Sequence, residues 1–298
     1  MRWATNSAQR MLIRARRVLF TTPALASTVR AARALVHFGP WRHVARAIIR
    51  RARPPLHDHA TRTPSPLSPD VPDLVRTLRA DGMVRAGHVP VDVLRRVRAV
   101  TDELPRGEYG DFHEQPDVRA LVADANVLNV VRRYFGAEPV IIECVLGVGG
   151  PEDAAQTPIH PQRHFHFDIA GWHALTLFVY LTDVEADSGA HQIVIGTHRR
   201  RNVRDAIRPW VPDDEIDARY PGRLRTITGP AGTMFFENTE AFHRRLLMKQ
   251  RRAMIIALYA SHRSLLSKGR LTPKYSDYVR ARRAAGPTGS VIATSGSW

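Results

Sequence analysis

Cysteine and lysine are nearly missing from this 298-residue chain, which has one cysteine, Cys144, and three lysines, Lys249, Lys268 and Lys274. A single thiol excludes an internal disulfide framework and any cysteine-rich zinc site. No apolar run approaches the ~18 residues of a membrane-spanning helix, so none is expected. The GxGxxG and GxxxxGK[ST] loops are absent, as is the βαβ alternation of a nucleotide-binding Rossmann fold. No internal repeat is visible. Acid is scarce at one end: residues 1–60 carry twelve arginines and only Asp58 as an acid, a balance of +11 out of +16 for the whole chain. The remainder carries 16 − 11 = +5, ordinary for a soluble domain, so the excess charge belongs to the N-terminal arm. Hydrophobic residues, at 44%, suffice to bury a core.

The arm has helical order. Trp41, Val44, Ala45, Ile48 and Ile49 fall at helical spacing, Arg42, Arg46, Arg50 and Arg51 lie off that stripe, and Pro54-Pro55 ends it. Such a helix either packs on the protein's own body or lies on an anionic membrane surface. A cleaved signal, with Val18, Leu19 and Phe20 as its apolar part, is poorly supported because Thr21, Thr22 and Pro23 interrupt it. Residues 61–72 close a Pro/Ser/Thr-rich linker. Composition thus divides the chain into a basic, partly helical arm at 1–60, a linker at 61–72, a main domain at 73–265 and a tail at 266–298.

In the main domain, residues 71–104 read as helical with a break at Asp81-Gly82, and 117–135 as another helix. The pattern then changes to short apolar runs between Gly/Pro turns: 139–149, 174–181, 191–195, 224–228, 232–236 and 253–260. Helices first and at least six strands after them predict a mainly β architecture with flanking helices, an antiparallel sandwich or barrel.

Three features on this β-rich sequence carry chemistry. In His164-Phe165-His166-Phe167-Asp168, the extended chain puts His166 and Asp168 on one face, where both can reach one metal ion. His243 follows 77 residues after His166, and Arg252 opens the run AMIIALYA. Two imidazoles and one carboxylate form the facial triad of non-haem Fe(II) oxygenases, which leaves coordination positions open for a bidentate co-substrate and O2. An arginine offers a permanent planar fork to a carboxylate. Each feature alone is common in a chain with fourteen histidines; their order gives the pattern its weight.

Around these residues the sequence resembles the phytanoyl-CoA dioxygenase family of Fe(II)/2-oxoglutarate-dependent oxygenases. The segments that carry the resemblance are Leu78 to Gly82, His166-Phe167-Asp168, Tyr180 to Val184, Asp187 to Ala190, Ile195 to His198, Thr228 to Phe236, His243, and Arg252 seven residues before Tyr259. The resemblance implies a double-stranded β-helix, a cupin-like jelly roll. It implies His166, Asp168 and His243 as metal ligands and Arg252 as the grip on 2-oxoglutarate, with Arg251 as its rival. His164, which has no acid two residues on, is the rival to His166. Gln162, Thr176 and Tyr180 sit near positions that line the co-substrate pocket in relatives, although relatives often have Lys where Thr176 stands. Trp172 and His173 are candidates for substrate contact, and residues 199–223 for a lid. In the halogenating branch a small residue replaces the acid; with Asp168 present, hydroxylation or a related oxidation is expected.

The expected cofactors are therefore Fe(II), 2-oxoglutarate as co-substrate and O2, and the expected partner is a small-molecule substrate. Specific nucleic-acid binding is not expected, because the aromatic interleaving of a single-strand binder is missing. A cytoplasmic location is expected, with the arm as the element able to touch a membrane. Two other readings stand beside this one: a basic nucleic-acid or membrane binder on an inactive barrel, and a different cupin-type metalloenzyme such as a zinc or manganese isomerase.

Overall fold

The computed structural model describes residues 23–38, 41–51, 66–67, 70–151, 161–199, 205, 208, 210–262 and 274–285. The signal-like start up to Thr22, most of the linker and of the tail, and part of the 199–223 insertion lie outside the described residues.

The strands, in chain order, are β1 (Met83–His88), β2 (Gly107–Tyr109), β3 (Val140–Gly149), β4 (Ala174–Tyr180), β5 (His191–Val194), β6 (Leu224–Ile227), β7 (Thr233–Glu237), β8 (His243–Arg245) and β9 (Arg252–Ala260). They form a six-stranded sheet ordered β1-β7-β4-β9-β3-β2 and a three-stranded sheet ordered β6-β5-β8, with antiparallel pairing throughout. The helices are α1 (Pro23–Phe38), α2 (Trp41–Arg51), α3 (Val71–Asp81), α4 (Val91–Thr101), α5 (Pro116–Val122), α6 (Ala125–Phe135), α7 (Asp213–Arg219) and α8 (Tyr275–Ala285).

Successive side chains of a strand point to opposite faces. On β4 and β9 the odd positions, Leu175, Leu177, Val179, Ala253, Ile255, Ala257 and Tyr259, share one core with Leu74 and Leu78 of α3 and Val127, Val130 and Val131 of α6. The even positions Phe178, Tyr180 and Met254 turn the other way. With Phe235 of β7 they meet Ala190, Ile193 and Ile227 from the small sheet. Two sheets facing each other over one core, with helices on the outer face of the larger one, make a jelly roll. Because the central strands are covered on both faces, they read as continuous apolar runs rather than alternating ones.

The stretch 71–104 is not one interrupted helix. Asp70 caps α3 by accepting from the Asp73 amide at 2.9 Å, and Gly82, in the left-handed region at φ 83°, ends it. The chain then runs as β1 along β7 before α4 begins. The helix read at 117–135 is likewise two, because the Asp124 carboxylate caps a new start at the Asn126 and Val127 amides. The short strands β2 and β8 carry too few residues for a periodic signal.

Composition separates the arm and the tail from the body, whereas packing joins them to it. Ala34 of α1 sits with Phe165, Phe167, Val194, Ile216 and Phe242 on the outer side of the small sheet. The Phe38 ring meets Phe167 edge-on at 5.5 Å. Arg42 of α2 makes a buried ion pair with Glu240, and Arg46 lies 3.7 Å from the same carboxylate. Arg42 is thus turned inward at 9% exposure, while Trp41, Val44 and Ile48 of the apolar stripe point outward. In α8, Tyr278 packs edge-on against Tyr109 and Tyr275 against Phe112.

Glu240 is buried, so removing its main partner leaves its charge compensated only by Arg46 at 3.7 Å. Arg42→Ala is expected to lower unfolding stability by about 3 kcal/mol in a denaturant titration, whereas Arg76→Ala, which breaks the exposed Arg76–Asp73 pair, is expected to change it by less than about 0.5 kcal/mol. A pH titration should report His198. Burial lowers its pKa from 6.5 to about 4, so the unfolded chain takes up the proton first. The stability this neutral imidazole contributes is full above pH 6.5 and is lost as pH falls toward 4. We expect a loss of up to about 3 kcal/mol over that window, flattened in His198→Gln.

Candidate functional site

The site is built on one backbone pairing. His166 and His243 face each other in an antiparallel bridge, with the His166 amide donating to the His243 carbonyl at 3.0 Å and the His243 amide donating back at 2.9 Å. Residues directly opposite in such a pair point to the same side, and the two imidazole centroids lie 4.4 Å apart. The Asp168 amide continues the pairing by donating to the Thr239 carbonyl at 2.8 Å. Two residues beyond His166, Asp168 turns to the same face. Its carboxylate Oδ2 lies 4.0 Å from His243 Nε2. One ligand atom from each of His166, Asp168 and His243 can be chosen so that all lie within 4.8 Å of one another.

Backbone carbonyls orient both rings. His166 Nδ1 lies 2.8 Å from the His164 carbonyl and His243 Nδ1 lies 3.0 Å from the Ala241 carbonyl. Donation there leaves each Nε2 as a lone-pair donor for a cation. Burial lowers the pKa of His243, against the raising effect of Glu237 and Asp168, and so favours the neutral, ligating form. Donor types, spacing and tautomers therefore fit a divalent transition metal held on one face.

The three residues line one end of a pocket of about 680 Å³, open mouth included. Gln162, Thr176 and Arg252 line it too, together with Glu143, Phe178, His191, Thr239, Arg244, Arg245, Met254, Ile256 and Leu258. The two neighbouring arginines point different ways. Arg252 shares the inward face of β9 with Met254 and donates to the Gly189 carbonyl, whereas Arg251 turns away and donates to the Thr101 and Leu104 carbonyls. Gly189 adopts φ 74°, and a Cβ there would collide with Met248, so the close approach requires glycine. His164 stacks on Trp210 and does not line the pocket.

Three candidates from the sequence fall elsewhere. Tyr180 lies beneath the pocket, fully buried; its hydroxyl donates to the Ile227 carbonyl at 2.8 Å, and burial pushes its pKa up to about 12. Trp172 and His173 do not line the pocket. Trp172 Nε1 donates to the Val36 carbonyl at 3.0 Å, and the His173 ring packs 4.7 Å from Phe135 and 5.3 Å from Tyr134. After Gly171, at φ 140°, the chain leaves the metal-facing segment and packs against helices instead.

Sequence reading missed three polar residues beside the triad. Arg245 sits two positions after His243 on the same face of β8, opposite His191 of β5. His191 stacks on His243 at 5.3 Å, and its Nε2 lies 2.8 Å from Glu237, a carboxylate with no exposure at the end of β7. The parity of β8 relative to His243 was the available signal for Arg245. Nothing local marks His191 or Glu237, since each sits at the edge of an apolar run among other polar residues.

No family model matches the chain, and no curated protein matches its sequence. Solved structures do resemble it. The iron-bound crystal structure of EctD from S. alaskensis matches with a TM-score of 0.50 at 19% identity, over 70% of this chain and 83% of that one. Its apo form matches with a TM-score of 0.50 at 20% identity, over 70% and 81%. The non-heme alpha ketoglutarate dependent carbocyclase SnoK from nogalamycin biosynthesis matches more weakly, with a TM-score of 0.47 at 19% identity, over 63% and 83%.

If the triad holds a metal, Co(II) or anaerobic Fe(II) at about 100 times its dissociation constant should stabilise the fold by about 2.7 kcal/mol, raising Tm by a few degrees. Asp168→Ala should abolish that shift, whereas His164→Ala should retain it. The chain thus has the jelly-roll fold that it shares with EctD, with the His166–Asp168–His243 cluster at one end of its pocket.

Proposed function

We propose that the protein is an Fe(II)- and 2-oxoglutarate-dependent dioxygenase that hydroxylates a C–H bond of a small molecule. The reading rests on one observation: a His, Asp, His cluster at one end of a pocket that is also lined by arginines. Overall, substrate C–H, 2-oxoglutarate and O2 give alcohol, succinate and CO2. Bound by His166, Asp168 and His243, Fe(II) would supply O2 activation coupled to decarboxylation of the 2-oxo acid.

The chain's own residues do the rest. Arg252, turned inward at the start of β9, binds the far carboxylate of 2-oxoglutarate and sets its orientation. Arg245, on the same strand as His243, adds a second positive charge toward this dianion, and Gln162 and Thr176 offer neutral polar contacts. Asp168 keeps a carboxylate where a halogenase needs room for chloride, which supports hydroxylation. Phe178, Met254, Ile256 and Leu258 give the pocket an apolar wall against which a substrate C–H is held and water excluded.

A different cupin-type metalloenzyme would use the same triad but would give Arg252 no carboxylate to bind. Purified protein with Fe(II), 2-oxoglutarate and O2 is therefore expected to release succinate, slowly without substrate and faster with it. Failure to bind 2-oxoglutarate would overturn the reading. Arg252→Ala should weaken 2-oxoglutarate binding by about 100-fold, roughly 3 kcal/mol, while Arg251→Ala leaves it unchanged.

A further inference from the structure

We infer that the outward face of α1 and α2 is a docking surface for an anionic lipid bilayer. A helix on the surface of a soluble protein normally buries its apolar stripe and shows its charges. In α2 part of that order is reversed. Arg42 is buried and Arg46 half-buried, both beside the carboxylate of Glu240, while Trp41, Val44 and Ile48 are 47%, 60% and 61% exposed. These three recur at helical spacing and form one outward ridge. Leu35 of α1, 57% exposed, adds a fourth large apolar side chain.

The inward orientation of Arg42 and Arg46 is fixed by several contacts, so the exposed ridge is not a free choice of the helix. Arg42 is paired with Glu240, and Arg46 Nε donates to the Trp172 carbonyl at 2.6 Å. Trp172 Nε1 donates in turn to the Val36 carbonyl. Rotating α2 to hide Trp41, Val44 and Ile48 would leave Glu240 buried and unpaired, at a cost of several kcal/mol.

Charge selects the occupant. Arg51 of α2, exposed and three residues after Ile48, borders the ridge, while His43 and Arg50 are exposed on the other side of the helix. Residues 1–60 hold twelve arginines and one acid. An apolar ridge with a tryptophan, bordered by Arg51 in a segment without acids before Asp58, matches an interface of acyl chains beneath anionic headgroups.

The inner face of the same helices touches both ligand-bearing loops. Trp172 follows Asp168 by four residues, and Glu240 precedes His243 by three. Lipid docking on the outward face would therefore leave the contacts of Arg42 and Arg46 with these segments in place.

The test is co-sedimentation of the full chain with vesicles of phosphatidylcholine alone and of phosphatidylcholine with phosphatidylglycerol. It needs neither iron nor 2-oxoglutarate, so its failure is distinguishable from failure of the oxygenase reading. The full chain is expected to bind the phosphatidylglycerol vesicles and not the neutral ones. The triple variant Trp41→Ser, Val44→Ser, Ile48→Ser should bind them at least about tenfold more weakly while keeping its Tm and its metal-induced Tm shift. Should that variant unfold, Ile48→Ser alone, in the middle of the ridge, should still weaken binding several-fold. Equal binding by a folded ridge variant and the parent would overturn the inference in favour of the arginines alone. Absence of vesicle binding would also overturn it; a parent dimer that becomes monomeric in the variant would then give the face to a second copy of this chain.

Discussion

His166 and His243, 77 positions apart in the sequence, exchange two backbone hydrogen bonds, and the candidate metal centre depends on that exchange. The bond pair sets which way both imidazoles point, and it sets Asp168 two residues further along the same face. Each ring is then turned by the carbonyl two residues before it, so the same short stretches of backbone fix position, direction and tautomer. A slip of one residue in this pairing would swap His166 for Phe165 or Phe167 and empty the site, because side chains alternate with a period of two.

Keeping that register makes demands on the surroundings. The outer face of the small sheet is closed by Phe165, Phe167 and Phe242 against Ala34, Val211 and Ile216. The inner face carries His191 and Arg245 beside the triad, with Glu237 of β7 across from His191, groups that are costly to bury unless they face one another. The loop that leads from β7 to His243 holds Glu240, whose charge is met by arginines from the N-terminal helices. Those helices therefore belong to the support of the site, and two arginines of the basic arm serve an internal purpose.

The same sandwich separates two kinds of interior. Odd positions of β4 and β9 enter an apolar core under α3 and α6, where leucine, valine and phenylalanine interlock. Even positions enter the space between the sheets, apolar toward one end and polar around the triad. Adjacent residues of one strand thus face the core and the pocket separately, as Ala257 and Leu258 illustrate.

The linear chain by itself determined the mainly β class with flanking helices, most of the strand positions, and the identities of His166, Asp168, His243 and Arg252 as the residues to watch. These were legible because period-two spacing, Gly/Pro turns and the order of polar residues are local properties. Only the tertiary structure decided that β1 breaks the first helical stretch, since a strand at a sheet edge needs its partner β7 to exist. It alone placed Arg245, His191 and Glu237 beside the triad, sent Trp172 and His173 away from the pocket, and turned Arg42 and Arg46 of α2 inward. Those outcomes depend on which residues meet across the fold, and local sequence periodicity carries no record of such long-range pairings.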